Sequence, residues 1–245
     1  MLKTVKRLLS SIIVAGSILF LGIQAPSIHN HYLRYEVGES VVQVLSPNGG
    51  GGTGFAVKAA SGIEYIMTNH HVCEGAVDEI VLIGQDHGDL VEKKVVYRDS
   101  VHDLCLVEGL EGLEPLTIAT FAPDLGDLHY VVGHPGLRQL TTSVGEYIGY
   151  AIVKLVDEVK ERSQCVGEVI ELNPLQQMFM RVEWICLRSY KSYASSAVIY
   201  GGNSGSPVVN SLGNVIAVVF AGSLRQERDN YLVPLYEIKR VLAKF

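Results

Sequence analysis

"GGNSGSPVV" (201–209) sets Ser204 among Gly201, Gly202 and Gly205, followed by a proline and an apolar pair. A serine hydroxyl is a weak nucleophile at neutral pH and needs a neighbouring base. Attack on a carbonyl also needs donors for the oxyanion that forms, and backbone N–H groups serve where the chain bends so that two of them face one point. Gly202 and Gly205 permit such a bend, because glycine reaches backbone angles that other residues avoid. Gly-Asn-Ser-Gly is equally good chemistry for an ordinary β-turn. The stretch alone leaves both readings open.

Outward from Ser204 the pattern is short apolar runs separated by turn residues. "SPVVN" (206–210), "VIAVVFAG" (215–222) and "NYLVPL" (230–235) follow it. "LHYVVGHPG" (128–136), "QLTTSVGEYIGYAIVKL" (139–155) and "MFMRVEWICL" (178–187) precede it in the same half. The first half holds "SVVQVL" (40–45), "FAVKAA" (55–60), "EYIMTNHHV" (64–72), "EIVLIG" (79–84), "LVEKKVVYR" (90–98) and "DLCLVEG" (103–109). "SPNGGGGTG" reads as a hairpin loop between the first two of these. Residues 156–177 are mixed and charged and read as a helix or a long loop. Leu235, Ile238, Val241, Leu242 and Phe245 recur at helical spacing, which predicts a short C-terminal helix with one apolar face. Short strands with glycine-rich turns predict an all-β fold, and a looser stretch from Pro115 to Leu128 divides it into two barrels. The expected ranges are about 36–115, 128–235 and 236–245 for first barrel, second barrel and helix.

Of 245 residues, 48% are hydrophobic, enough for a packed core. The net charge is −6 and there is no Lys/Arg run or basic stripe, so nucleic acid is not an expected partner. Residues 1–28 are a different material. Lys3, Lys6 and Arg7 precede the nearly continuous apolar run Leu8 to Ile23. This is the pattern of an export signal. Ile23 is bulky where a cleavage site prefers a small residue, so an uncleaved membrane anchor stands beside a cleaved signal peptide. Either leaves residues 29–245 outside the cytosol. Cys73, Cys105, Cys165 and Cys186 match no zinc spacing, and no metal or cofactor is expected. Export permits disulfides. Cys105 reads as a small buried hydrophobe; no bridge is predicted from the spacings, and Cys165 with Cys186 is the least implausible of the three pairings.

Two further stretches carry chemistry. "TNHHVC" (68–73) ends a strand with His70 and His71, and histidine suits proton transfer near neutral pH. On an extended segment the two rings face opposite ways. "HDLCLVE" (102–108) puts Asp103 directly before a core run, where a carboxylate is costly unless a partner holds it. A histidine N–H is such a partner.

Together these stretches resemble the trypsin-like (chymotrypsin-fold) serine peptidases, whose chain order is His, Asp, Ser. The nearest pattern is that of the HtrA/Deg-type bacterial proteases. "GTGFAV" (52–57), "VVGHPGLRQLTTSVGEYIG" (131–149) and "YLVPLYEIKRVLAKF" (231–245) resemble theirs as well. The resemblance implies two chymotrypsin-like barrels and a serine endopeptidase acting on protein or peptide substrates. His71 would be the general base, Asp103 its orienting acid and Ser204 the nucleophile. The N–H groups of Gly202 and Ser204 would form the oxyanion hole. In this family the primary pocket would lie near Val198 and the "FAGS" segment Phe220, Ala221, Gly222 and Ser223. No acid stands there, so cleavage after small or medium apolar residues is expected.

The sequence departs from the family in four places. Ser206 replaces a usual glycine and is expected to narrow the floor near the nucleophile. Residues 156–193 exceed the HtrA pattern and are expected to form a loop over the cleft. Nothing after the helix matches a PDZ domain, so PDZ-based control is not expected. Cys73 lies one place beyond the cysteine of the animal enzymes, so their disulfide is not carried over. Two alternatives stand beside the protease: a non-catalytic protease-like binding domain tethered outside the membrane, and a zinc hydrolase using His70 and His71.

Overall fold

Runs of valine, isoleucine and leucine form the strands because their branched side chains fit a pleated, buried surface. The computed structural model describes residues 29–48, 50–85, 88–159, 161–165, 167–180, 184–221 and 230–245. The expected leader, 1–28, lies outside them. Six strands of the first half are β1 (Val41–Leu45), β2 (Gly51–Lys58), β3 (Glu64–Thr68), β4 (Ile80–Gly84), β5 (Val91–Asp99) and β6 (Leu104–Glu108). They close into an antiparallel barrel in the order β1-β2-β3-β6-β5-β4, with Gln43 of β1 opposite Gly84 of β4.

The second half forms β7 (Leu128–Gly133), β8 (Thr141–Val159), β9 (Glu168–Glu171), β10 (Trp184–Ser195), β11 (Pro207–Val209), β12 (Val215–Ala221) and β13 (Asn230–Pro234). The sheet order is β13-β12-β11-β7-β8-β10-β9, and β13 also pairs with β10. That extra pairing joins the ends of six strands into a second ring and leaves β9 outside it. Among the described residues four α-helical segments accompany the strands: α1 (29–38), α2 (His70–Cys73), α3 (Pro174–Met180) and α4 (Leu235–Leu242).

Each ring has its own core, and a third cluster lies between them. There Phe55, Met67 and Leu106 of the first barrel meet Tyr130, Val218 and Val233 of the second. Burying a side chain of this size stabilises by about 1.5–3 kcal/mol, so this shared layer fixes the barrels against each other. Ile238 and Val241 of α4 and Leu33 and Val37 of α1 complete it. Phe245 then packs edge-on against Tyr65 and Tyr97, tying the end of the chain to the first barrel.

Several expectations need correction. The glycine run is not all loop: β2 begins at Gly51. Gly52 is required inside the strand because a Cβ there would lie 2.5 Å from the Ser204 carbonyl oxygen and 2.7 Å from Val72. His70 and His71 are not extended, since they open α2. Met178 to Met180 end α3 rather than begin a strand. The 156–193 region is not a plain loop. It extends β8 and β10 into a long two-stranded arm, paired from Trp184↔Val159 inward, with β9 on its edge.

The cysteines form two disulfides, Cys73–Cys105 and Cys165–Cys186. The second is the pairing that the sequence leaves least implausible, although no bridge is predicted from it. The first overturns the reading of Cys105 as a lone hydrophobe, because α2 folds back over β6 and brings Cys73 to it.

Candidate active site

The site forms where α2, the turn before β6 and the 200–206 loop converge. Asp99 shapes the turn: its Oδ1 accepts the N–H groups of Val101 and His102, both at 3.1 Å. Its other oxygen pairs with Arg240 of α4. Burial works against the Asp99 carboxylate, but the hydrogen bonds from Arg240 and His102 outweigh it and hold its pKa below the usual value. The turn delivers Asp103 in the left-handed region, φ 53°. Aspartate tolerates that conformation better than most side chains.

Asp103 is buried, 5% exposed. Its carboxylate takes the His71 backbone N–H on Oδ1 at 2.9 Å and the His71 Nδ1–H on Oδ2 at 2.7 Å. Asn69, also buried, donates from its amide to the Asp103 carbonyl at 2.9 Å. The His71 ring is thereby fixed, with Nε2 directed away from the acid. Burial alone would lower the His71 pKa. The hydrogen bond and charge of Asp103, with the more distant Glu74, outweigh it and raise the pKa above the ordinary 6.5. His70 differs. Burial dominates there and pushes its pKa down.

Ser204 is half-buried and lies in a loop that only glycine can build. Gly202 has φ 91°, and a Cβ on it would lie 2.5 Å from the His134 carbonyl oxygen. Gly205 has φ 83°, and a Cβ on it would lie 2.1 Å from the Thr53 carbonyl oxygen. The loop is held from both barrels. Thr53 N–H donates to the Ser204 carbonyl at 2.8 Å, Gly205 N–H to Val219 at 3.0 Å and Gly136 N–H to Gly201 at 2.5 Å. Among the described residues the N–H groups of Gly202 and Ser204 donate to no acceptor.

Ser204 and His71 share their surroundings. Gly52 lies between the Ser204 carbonyl and Val72, the residue after His71. Phe220, one residue beyond the Val219 that pairs with Gly205 and Ser206, stands 6.4 Å ring to ring from His71. His71 and Asp103 are joined by a hydrogen bond, whereas Ser204 is linked to His71 only through these shared surroundings.

A family model described as a trypsin-like peptidase domain matches residues 52–218, which contain both His71 with Asp103 and Ser204. The chain belongs to the trypsin-like peptidase domain family. Similar proteins include the putative mitochondrial protease Do-like 12 of Arabidopsis thaliana, 29% identical over 73% of this chain and 30% of that one. Another is the serine protease Do-like HtrA of Bacillus subtilis, 26% identical over 78% and 38% of the two chains. The chain spans only 30% and 38% of the length of these two relatives. The fold is also that of the active form of the Rv3671c protease from M. tuberculosis, TM-score 0.64 at 21% identity, covering 87% and 83% of the chains. The serine endoprotease from Yersinia pestis matches with a TM-score of 0.62 at 20% identity, over 87% and 65%.

Around the core of this trypsin-like domain other expected positions fall as follows. Phe220 is buried and packs edge-on against Tyr190 of β10 with ring centres 5.2 Å apart. Val198 is 46% exposed, and its carbonyl accepts the Ser143 hydroxyl at 2.9 Å. Ala221 ends β12, while Gly222 and Ser223 lie outside the described residues. Ser206 is fully buried and occupies the space beside Gly133, where a Cβ would lie 1.9 Å from its Oγ.

Sequence reasoning missed Tyr190 and Arg188. Both lie on the arm. Arg188 donates to the Ser100 carbonyl of the first barrel. The buried Tyr190 hydroxyl has its pKa raised by burial and by the charge of Asp103. Nothing in the local pattern of β10 marks either, because their neighbours are set by the folding of the arm.

A second histidine–serine pair exists. His129 Nε2 and Ser195 Oγ are hydrogen-bonded at 2.7 Å. Both residues are 0% exposed, and burial lowers the His129 pKa to about 4. Among the described residues no group of three or more His, Cys, Asp or Glu side chains is close enough to hold a metal ion.

Proposed function

We propose that the protein is a serine endopeptidase in which His71, Asp103 and Ser204 act as a triad. The observation that carries this reading is the pair of hydrogen bonds from His71 to the buried Asp103, on a ring that shares its surroundings with Ser204. With Nδ1–H committed to the acid, neutral Nε2 is left to accept the Ser204 proton. The Ser204 oxygen then attacks the substrate carbonyl carbon and forms a tetrahedral oxyanion. Gly202 and Ser204 N–H groups, which have no acceptor of their own, stabilise that oxyanion. The protonated His71 passes its proton to the leaving amine, which departs as the acyl-enzyme forms. Water, deprotonated by His71, releases the acyl group and restores the serine. Asp103 holds the tautomer and stabilises the imidazolium throughout. In unliganded sites the hydrogen bond between nucleophile and base is often long and tightens with substrate.

The His129–Ser195 pair favours a structural role. Substrate has no access to it, and a base with a pKa near 4 is weak at neutral pH.

Protein and peptide substrates follow from the family. Cleavage after small or medium apolar residues belongs to the same proposal, supported by Phe220 and Val198 and by the absence of an acid in that sequence region. Export, with or without a retained membrane anchor, is supported by the basic-then-apolar pattern of residues 1–28 and by two disulfides.

The test is labelling with a fluorophosphonate beside digestion of casein. Wild type should label and cleave, and Ser204→Ala should do neither. A folded wild type that takes no label supports a binding domain instead. Activity that survives Ser204→Ala but is lost to a chelator supports a metal-dependent hydrolase.

A further inference from the structure

One residue of the first barrel holds both oxyanion residues of the second, Gly202 through its side chain and Ser204 through its backbone. Thr53 of β2 is fully buried, at 0% exposure. Its Oγ1–H donates to the Gly202 carbonyl at 2.8 Å, and the same oxygen accepts the His134 N–H at 3.0 Å. Its backbone N–H donates to the Ser204 carbonyl at 2.8 Å. Its own carbonyl is held by the Thr68 hydroxyl at 2.7 Å. All four polar connections of this residue are thus used on the loop or its supports.

The consequence for the loop is directional. A peptide plane that turns its carbonyl one way turns the following N–H the other way. Anchoring the carbonyls of Gly202 and Ser204 to Thr53 fixes the peptide planes that carry the Asn203 and Gly205 N–H groups. These flank the planes of the Gly202 and Ser204 N–H groups, whose own carbonyls at Gly201 and Asn203 accept from the Gly136 and Ser206 N–H groups. The positive φ of Gly202 needs such restraint, because glycine has access to many other conformations. The 134–137 turn is locked into the same arrangement. Gly136 N–H holds Gly201, and Gln43 of β1 donates to the carbonyls of Leu137 and Arg138 at 3.4 and 3.3 Å.

We propose that Thr53 is a positioning residue for the oxyanion hole. Its hydroxyl holds the 202–204 backbone in the arrangement in which two amides face the reacting carbonyl. This rests on the reading of Ser204 as the nucleophile.

Thr53→Val keeps the shape of the side chain and removes the hydroxyl. Thr53→Ser keeps the hydroxyl and removes a methyl group. A misplaced oxyanion donor acts on the transition state, so Thr53→Val should lower kcat about 10- to 100-fold and slow fluorophosphonate labelling by a similar factor. KM should change by less than about threefold, since the loss falls on transition-state rather than ground-state binding. The His71 midpoint in the pH–rate profile should stay in place, and Thr53→Ser should recover most of the rate. Should Thr53→Val fail to fold, Thr53→Ala set against Thr53→Ser carries the same comparison. Wild-type kcat in the folded hydroxyl-free variant overturns the assignment, as does a serine variant no better than valine or alanine. Failure of the triad reading is distinguishable: in that case wild type itself takes no label, or Ser204→Ala keeps it.

Discussion

The Cys73–Cys105 disulfide joins the last residue of the helix that carries His71 to the second residue of the strand that follows Asp103. It spans a sequence separation of 32 residues and is fully buried. Closing a loop of that length is expected to stabilise by about 3–4 kcal/mol. Cys73→Ala with Cys105→Ala should therefore lower the unfolding free energy by that amount, with a matching fall in the denaturant midpoint, and reduce activity with it, because the bridge also sets the spacing of the two elements. The Cys165–Cys186 bridge lies in the arm. Its removal should leave the main unfolding transition closer to wild type. Chemical denaturation of both double variants checks this, and equal losses would refute the distinction.

Activity should rise with pH through a midpoint above 6.5, because His71 must be neutral to accept the serine proton and Asp103 raises its pKa. Stability runs the other way. A histidine whose folded pKa is raised contributes most when protonated, below 6.5, and that contribution fades as pH rises through the folded pKa. Asp103→Asn should move the midpoint of kcat/KM downward and lower kcat by several orders of magnitude, on the order of 10⁴-fold in a related triad. A pH–rate profile on both proteins decides it. An unmoved midpoint would separate His71 from Asp103.

His129 should make the fold acid-labile. Its pKa is about 4 in the folded state against 6.5 for an unperturbed ring, and burial is the first cause. The unfolded chain binds the extra proton between those values, so stability falls as pH drops from 6.5 toward 4. The full effect is on the order of 3 kcal/mol. His129→Gln should flatten this dependence while costing about 1–3 kcal/mol at pH 7 by disturbing the bond to Ser195. Urea unfolding at pH 7, 6 and 5 measures it, and parallel slopes for the two proteins would count against it.

Gly205→Ala should be severely destabilising. The added methyl would lie 2.1 Å from the Thr53 carbonyl oxygen and 2.3 Å from the Thr68 hydroxyl, at a φ that disfavours a side chain. The expected cost is about 3 kcal/mol or more. Gly201→Ala, whose Cβ meets nothing within 4 Å, is the matched control. Melting temperatures of the two variants should differ by several degrees for a domain of this size.

Several features were readable in the linear chain because they depend on near neighbours. Alternating apolar runs and turn glycines marked most strands, and Leu235, Ile238, Val241 and Leu242 marked α4, whose apolar face is buried as expected. Glycines 202 and 205 stood out because backbone geometry around Ser204 is a local matter. The arm was harder to read. Charged residues 156–177 lack a clean period, and the pairing of β8 with β10 depends on a register set over a long separation.

The order His, Asp, Ser and the glycine frame are written in the sequence, since each is a short motif whose chemistry is carried by adjacent residues. What only folding could settle is which distant groups meet: Cys73 with Cys105, Thr53 with Gly202 and Ser204, Ser206 with Gly133, and Tyr190 with Phe220. Those contacts join elements far apart along the chain, and their geometry follows from closing two barrels and packing one against the other. No local pattern carries that information, because the barrel closure that brings each pair together is a property of all the strands at once.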